Sequence, residues 1–148
     1  MAEAQTTQVG VFVERQLDQL ASAIEKKLAA DVMAIYGPIY PGAETRVRQA
    51  IEAHRGKRKP KLAVVLDTVG GIIEVVERMV TTIRHHYDEV VMIVPDKAMS
   101  AGTVLAMSGD AIMMDYFACL GPIDPQVETK EGKFASSLFS VGSIAQAW

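Results

Sequence analysis

The chain has 148 residues, of which 49% are hydrophobic, and its mean hydropathy is +0.16. These values fit one globular domain with a sizeable buried core and exclude a disordered chain. A net charge of −3 and a pI of about 5.6 give no general attraction to nucleic acid or to anionic membranes. Nucleic acid is therefore not an expected partner.

Cysteine content and the chain's first residues bear on its compartment. The lone Cys119 cannot form an internal disulfide or a zinc cluster, which favours a reducing, cytoplasmic environment. Residues 1–10 are polar, lack the pattern of a secretory signal and predict a flexible N-terminus. No run reaches about 18 apolar residues, so no integral membrane segment is expected. The spacing of His, Cys and carboxylate residues predicts no metal, and we expect no cofactor.

The first half of the chain predicts helices alternating with strands. An amphipathic first helix is indicated by apolar residues at steps of three and four, namely Val13, Leu17, Leu20, Ile24 and Leu28. Residues 31–39 predict a strand stopped by Gly37 and Pro38, and residues 47–54 give the inner face of a second helix. The basic run 55–61 is interpreted as a solvated loop. The Val- and Leu-rich run 62–66 predicts a parallel strand buried on both faces.

The second half continues the same alternation. A tight turn at 67–71 precedes a helix over 72–83, a strand follows at 89–94, and a short helix at 100–107 leads into a strand at 111–114. Such repeats predict an α/β fold whose mainly parallel sheet is flanked by helices. Binding groups of these sheets collect at the carboxyl ends of the strands.

Ser100 lies between small residues where a strand pattern changes abruptly into a helix pattern. Such a corner can expose a serine hydroxyl and place backbone N–H groups near a developing oxyanion, so Ser100 is a candidate nucleophile. Gly70 and Gly71 end another strand, and without side chains their amides could approach a carbonyl oxygen, joined by the amide of Ala101. The alternative interpretation is that both segments are ordinary turns or helix starts.

These segments, taken in order, resemble the Clp/crotonase superfamily. The resemblance covers about residues 12–126 and rests on the glycine pair in 68–71, the Ser-Ala-Gly corner at 98–102, and the Gly-Pro-Ile-Asp-Pro-Gln run at 121–126. Within the superfamily the chain is most similar to the serine dehydrogenase proteinase group, relatives of signal peptide peptidase A. The resemblance implies repeated β-β-α and βαβ units.

The resemblance also implies roles for individual residues. Ser100 falls on the nucleophile, Gly70 and Gly71 fall on the pair that forms the oxyanion hole, and Ala101 supplies the adjoining amide. Asp110 matches an acidic position just before a strand, for which a structural role is expected. The residues expected near the substrate cleft are Thr68, Val69, Asp124 and Gln126.

The general base is the part of the site for which several candidates remain. Clp proteolytic subunits use a histidine some two dozen residues after the serine, whereas this chain has no histidine after His86. Relatives of signal peptide peptidase A use a lysine, and Lys130 and Lys133 are the lysines that follow Ser100. Both could equally be solvated residues of a hydrophilic turn. The base could also lie outside these residues or on a neighbouring subunit.

The leading functional hypothesis is a serine peptidase that cleaves a peptide or protein substrate through an acyl-enzyme on Ser100. A crotonase-like acyl-CoA enzyme and a non-catalytic oligomeric scaffold of the same fold are the alternatives. Residues 1–148 are interpreted as a single Clp/crotonase-like domain, either on its own or as the N-terminal fragment of a longer protease. The resemblance implies a homo-oligomer, and an apolar stripe could form its interface, at Phe134, Leu138, Phe139 and Trp148.

Overall fold

The computed structural model describes residues 8–123 except 55 and 57, and the backbone of two short strands beyond them. The helices in these ranges are α1 (Gln8–Leu28), α2 (Ala43–Ala53), α3 (Ile73–His86) and α4 (Ala101–Met107). The strands are β1 (Asp31–Tyr36), β2 (Lys61–Asp67), β3 (Glu89–Val94), β4 (Lys97–Ala98), β5 (Ala111–Met114), β6 (Cys119–Leu120), β7 (Gln126–Glu128) and β8 (Phe134–Ser136).

The central sheet has the order β1-β2-β3-β5 and is parallel throughout. Ala63 lies opposite Val32 on one side and opposite Val91 on the other, and Val91 in turn pairs with Ala111. The inner strands β2 and β3 consist largely of buried Val, Leu and Met side chains, as a sheet covered on both faces requires. The predicted α/β fold with a mainly parallel sheet is therefore confirmed.

Helices connect successive strands and complete the core. The α2 and α3 helices pack against each other, α3 also contacts α4, and α1 reaches the sheet at β1 and β2. The apolar faces of α2 and α3 bury side chains that include Val47, Ile51, Met79 and Ile83. Burying side chains of this size stabilises a fold by about 1.5–3 kcal/mol each, measured against leaving them exposed. The core thus fixes the positions of the strand ends.

The amino-terminal edge of the sheet is tied together by a buried carboxylate. Asp31 accepts a hydrogen bond from the Tyr87 hydroxyl at 3.2 Å and from the backbone N–H of Lys59 at 3.1 Å. His54 Nε2 lies 3.8 Å from the other carboxylate oxygen. Burial, followed by the negative charge of Asp31, raises the pKa of Tyr87 to about 12. These contacts connect β1, the loop before β2 and the end of α3.

At the carboxyl-terminal edge the first strand ends at Tyr36, within the predicted run 31–39 and just before the predicted stop at Gly37 and Pro38. Gly37 has a φ of 93° and the following proline has no N–H to donate. A second, smaller sheet lies beyond this edge. There β4 pairs in parallel with β6, and Ala98 forms a parallel bridge with Thr68.

Asp110 has the structural role that was expected of it. Its carboxylate accepts hydrogen bonds from Arg84 at 2.7 Å and from the Val90 backbone N–H at 2.7 Å. The hydrogen bond from the Arg84 guanidinium, and then the Val90 hydrogen bond, lower the pKa of Asp110. The same arginine also donates to the carbonyl of Ser108, at the end of α4. One carboxylate therefore joins α3, β3 and the connection from α4 to β5.

Candidate active site

Ser100 occupies a strained position at the turn from β4 into α4. Its φ of 52° and ψ of −123° lie outside the regions that non-glycine residues normally adopt. It precedes the first helical residue, Ala101, rather than beginning the helix as the sequence predicted, and its hydroxyl makes no capping hydrogen bond to the helix. A strained, half-buried serine at a sharp strand-to-helix turn is the geometry of a nucleophile elbow.

The loop after β2 lies directly against this serine. A Cβ atom placed on Gly70 would lie 2.9 Å from the Cβ of Ser100, well inside the ordinary contact distance between two carbons. Gly70 also has a φ of 93°, which favours glycine. The sequence prediction that the glycine pair and Ser100 converge at one edge of the sheet therefore agrees with their positions.

Thr68 joins these two loops. Its backbone N–H donates to the carbonyl of Lys97 and its carbonyl accepts from the N–H of Met99, both at 3.0 Å. Its hydroxyl accepts a hydrogen bond from the N–H of Gly70, also at 3.0 Å, and its methyl group lies against Gly102. Thr68 is 1% exposed, so its burial does not fit the substrate-contacting role that the sequence suggested.

The backbone donors near Ser100 differ in their availability. Because the Gly70 amide donates to Thr68, it is occupied within its own loop. The amides of Gly71 and Ala101 have no backbone acceptor among the described residues. Ala101 is the first residue of α4, where helix geometry leaves N–H groups without an intrahelical partner. Of the three amides that the sequence suggested as oxyanion donors, those of Gly71 and Ala101 thus remain candidates.

The chain's three histidines lie far from Ser100. His54 is beside Asp31 at the start of β1, while His85 and His86 end α3, just before β3 begins. Ser100 lies beyond the opposite ends of the strands, and a six-residue strand is roughly 20 Å long. None of these side chains can reach the serine hydroxyl. The expectation that a Ser-His-Asp triad does not form within one chain is consistent with this geometry.

Lys97 is the described lysine closest in sequence to Ser100, and its environment does not suit a general base. Its ammonium group donates a hydrogen bond to Asp96 at 2.8 Å. That hydrogen bond and the charge of Asp96, with a smaller contribution from Asp67, raise the pKa of Lys97. A lysine base requires the opposite, a lowered pKa that leaves the amine neutral. Lys97 therefore remains protonated.

The remaining predicted site residues divide into two groups. Val69 is exposed beside the glycine pair, where it could touch a substrate. Lys130, Lys133 and Asp124 lie outside the described residues, and of Gln126 only the backbone at the start of β7 is described.

Thr103 was missed by the sequence analysis. Its buried hydroxyl lies 2.7 Å from the carbonyl oxygen of Ala98 and 2.9 Å from that of Gly121, which holds β4 and the residue after β6 beneath Ser100. A lone hydroxyl in an otherwise apolar helix was the available signal for this role.

Two further features bear on what the site could hold. Across the described residues, no group of three or more His, Cys, Asp or Glu side chains is arranged to bind a metal ion. In the same part of the chain, no helix combines the length and apolar character needed to cross a bilayer.

Comparison with protein families places the chain among the serine proteinases. A family described as ClpP-like SDH-type serine proteinase matches residues 20–141. The chain belongs to this family. The match includes Ser100, the glycine pair and both lysines that follow the serine. It begins within α1 and leaves out the first part of that helix.

Curated relatives match over shorter segments. The chain is 39% identical over 71 residues to the uncharacterised protein MJ0137 of Methanocaldococcus jannaschii, covering 48% of this chain and 24% of that protein. It is 34% identical over 64 residues to MJ1495 of the same organism, covering 43% of this chain and 22% of that protein. The matched segments thus span about a quarter of each relative.

Solved structures of the ClpP-like fold resemble the chain more extensively. One is the 1510-N membrane-bound stomatin-specific protease, solved as a lysine-to-alanine mutant with a substrate peptide; it has a TM-score of 0.62 and 22% identity. The match covers 78% of this chain and 55% of that one. A serine-to-alanine mutant of the same protease gives a TM-score of 0.62 at 21% identity, covering 78% of this chain and 58% of the other. The likeness establishes a shared fold.

Proposed function

We propose that the protein is a serine peptidase in which Ser100 is the nucleophile and the amides of Gly71 and Ala101 form the oxyanion hole. The observation that carries this proposal is the backbone of Ser100, whose φ of 52° holds its hydroxyl at a strand-to-helix turn. Strain of this kind costs on the order of 1–3 kcal/mol and is concentrated at functional sites. Membership of a serine proteinase family supports the same chemistry.

In the proposed reaction Ser100 Oγ forms a bond to the carbonyl carbon of a peptide while its proton passes to a neutral lysine amine. The carbonyl oxygen becomes an oxyanion that accepts hydrogen bonds from the two free amides, each such donor lowering the barrier by about 3 kcal/mol. The protonated lysine then gives its proton to the leaving amine, and the C–N bond breaks. Water hydrolyses the resulting acyl-enzyme and restores the serine.

We assign the base to Lys130 or Lys133. The histidines lie at the far edge of the sheet and Lys97 is held protonated by Asp96, whereas Lys130 and Lys133 are the lysines that follow Ser100 in the chain. That a lysine and a serine were the residues mutated in the 1510-N protease is compatible with this assignment. The substrate bound to that protease is a peptide, and we propose a peptide substrate here, contacted by Val69 and Gln126.

A fluorophosphonate probe tests the nucleophile, since it labels only activated serines. Wild-type protein is expected to be labelled and Ser100→Ala is not. Ser108→Ala is the matched control, because Ser108 lies at the other end of α4 and its hydroxyl bonds to the Leu105 carbonyl. Equal labelling of Ser100→Ala and wild type would contradict the proposal. Binding of a CoA thioester that survives Ser100→Ala would instead favour an acyl-CoA enzyme.

The base assignment has its own test. Lys130→Ala and Lys133→Ala are compared with Lys97→Ala in the rate of peptide hydrolysis. Loss of a general base slows proton transfer by about 10²–10⁴-fold, so one of the first two variants should fall by that factor while Lys97→Ala stays near wild type. If neither Lys130→Ala nor Lys133→Ala hydrolyses peptide more slowly than wild type, the base lies elsewhere in the assembled protein.

A further inference from the structure

The first half of α1 presents apolar side chains that the rest of the described chain leaves uncovered. All ten residues from 11 to 20 are exposed. They include residues on the side of the helix that packs against the sheet nearer its C-terminal end. Phe12, Leu17 and Leu20 are 62%, 60% and 63% exposed. Farther on, Ile24 and Leu28 are half-buried where α1 meets β1 and β2.

A helical segment as short as the exposed half of α1 is only marginally stable by itself. Isolated helices shorter than about 12–15 residues are marginal in water, and most helical stability in proteins comes from packing an apolar face. Five of the six exposed large apolar residues of α1 occupy one side of the helix, within about 140° of its circumference, and Val11 lies on the other side. These five form the apolar stripe of α1, which comprises Val9, Phe12, Val13, Leu17 and Leu20. The stripe therefore has the geometry of a surface that packs against another element.

The spacing of the stripe suits a second helix with the same repeat. Val13, Leu17, Leu20 and Ile24 follow one another at steps of four, three and four residues, which is the alternation that brings helices together in coiled coils. A second copy of α1 carries the same spacing and so complements it. The family match begins only at residue 20, so the shared fold of the family does not account for this surface.

The charges of α1 favour a protein partner over a lipid surface. Helices that lie on anionic membranes carry an excess of Lys and Arg on their polar face. Here acidic and basic residues are equal in number, Glu14, Asp18 and Glu25 against Arg15, Lys26 and Lys27. The absence of a net positive charge removes the electrostatic attraction that such membrane binding requires.

The distribution of those charges along α1 also favours one relative orientation of two paired helices. The exposed half carries Glu14 and Asp18 with Arg15 and so has a net negative charge, whereas Lys26 and Lys27 lie in the last turn. In an antiparallel pair the acidic half of one helix runs alongside the lysine end of the other, whereas in a parallel pair each half meets its own charge. Antiparallel pairing also opposes the two helix dipoles.

From these observations we infer that the apolar stripe of α1 is an interface through which two copies of this chain associate by antiparallel pairing of their first helices. In the register that places Leu17 opposite Leu20 of the partner subunit, Val13 lies opposite Ile24 of the partner subunit. The inference does not depend on the peptidase proposal, because it uses no residue of the candidate active site.

Sedimentation velocity of the full chain tests the interface. Leu17→Glu places a charge in the stripe and should halve the mass of the wild-type assembly. Ser22→Glu adds the same charge to the opposite side of the same helix and should leave the mass unchanged. Leu17 is exposed, so the variant is expected to fold, which its circular dichroism and its fluorophosphonate labelling would verify. Equal masses for wild type and Leu17→Glu would overturn the inference.

Two additional measurements complete the test. In a Cys119→Ser background, Val13→Cys mixed with Ile24→Cys should give a mixed disulfide on oxidation, while a disulfide between two copies of Val13→Cys would refute the antiparallel arrangement. Vesicles containing anionic phosphatidylserine should not sediment the protein. Sedimentation of a monomeric wild type with these vesicles, lost in Leu17→Glu, would assign the stripe to lipid and overturn the proposed partner.

Discussion

Ser100 is a single residue in which the proposed chemistry and the stability of the fold conflict. A φ of 52° is unfavourable for any residue with a Cβ and nearly free of strain for glycine. The hydroxyl makes no capping bond to α4, so its removal costs the helix nothing. The conformation is thus maintained by the surrounding main-chain bonds rather than by the serine side chain.

Ser100→Gly should therefore stabilise the protein while abolishing fluorophosphonate labelling. Relief of strain, less the greater freedom of glycine in the unfolded chain, gives an expected gain of about 1 kcal/mol in the free energy of unfolding. Ser100→Ala keeps the Cβ and should change the stability little. Urea unfolding of the two variants and wild type measures the difference. A Ser100→Gly protein less stable than Ser100→Ala would show that the backbone is not strained.

Thr68 provides a second test at the scale of one residue. Thr68→Val keeps the shape but leaves the Gly70 N–H without its acceptor, a loss of about 1–3 kcal/mol for a buried group. Because the loop that carries Gly71 is then held less firmly, kcat should fall about tenfold with little change in KM. Thr68→Ser keeps the hydroxyl and should restore kcat. If both variants lower kcat equally, packing rather than the hydrogen bond is responsible.

At the scale of elements, two carboxylates link neighbouring elements to the amino-terminal ends of the strands. At the amino-terminal edge, Asp31 of β1 binds the Tyr87 hydroxyl and the Lys59 N–H. Asp110, just before β5, accepts hydrogen bonds from Arg84 of α3 and from the Val90 N–H of β3, and so connects these elements. Such side-chain links connect elements that the backbone hydrogen bonds of the sheet do not, so they hold the helices in place on the strands.

The Tyr87 contact predicts how stability depends on alkaline pH. The pKa of Tyr87 is raised from 10.0 to about 12 in the fold, so the unfolded chain releases this proton first. The stabilisation is complete below pH 10 and is lost as the pH rises from 10 to 12. Tyr87→Phe should have a lower Tm than wild type at pH 8, and the difference should shrink toward pH 12. A difference that stays constant over that range would contradict the prediction.

The elements also show what the sequence could and could not predict. Helical spacing and Val-rich runs are local signals, so α1, β2 and the parallel sheet were predictable from them. The φ of Ser100 depends on bonds that Thr68 makes to Lys97 and Met99, some thirty residues away in the chain, and no local pattern reports such contacts. The same is true of the Gly70 amide, whose bond to Thr68 leaves Gly71 as the candidate donor.

Over the whole molecule, protection from solvent is uneven. The side chains of β2 and β3 are largely buried, whereas all four residues of the edge strand β5 are exposed. Local opening requires less free energy where fewer apolar contacts must be broken. The described part of the fold therefore has a rigid centre and a more easily opened margin.

Hydrogen exchange measured by mass spectrometry should reproduce this gradient. Amides of residues 62–66 and 90–94 are expected to exchange slowest, because they lie within the paired inner strands. Amides of 111–114 should exchange at least tenfold faster, since β5 pairs on one side only within the described sheet. Equal protection of β5 and β2 would mean that another segment or subunit covers this edge in solution.

The bonds of Thr68 to the loop after β3 have a consequence for the newly made chain. The candidate nucleophile follows β3 and the candidate oxyanion donor Gly71 follows β2, and Thr68 brings them together only once those strands have paired. A partly synthesised or unfolded polypeptide has neither the strained serine nor the aligned amides. The proposed peptidase would therefore acquire its nucleophile and its oxyanion donor together, in the folding step that pairs β2 with β3.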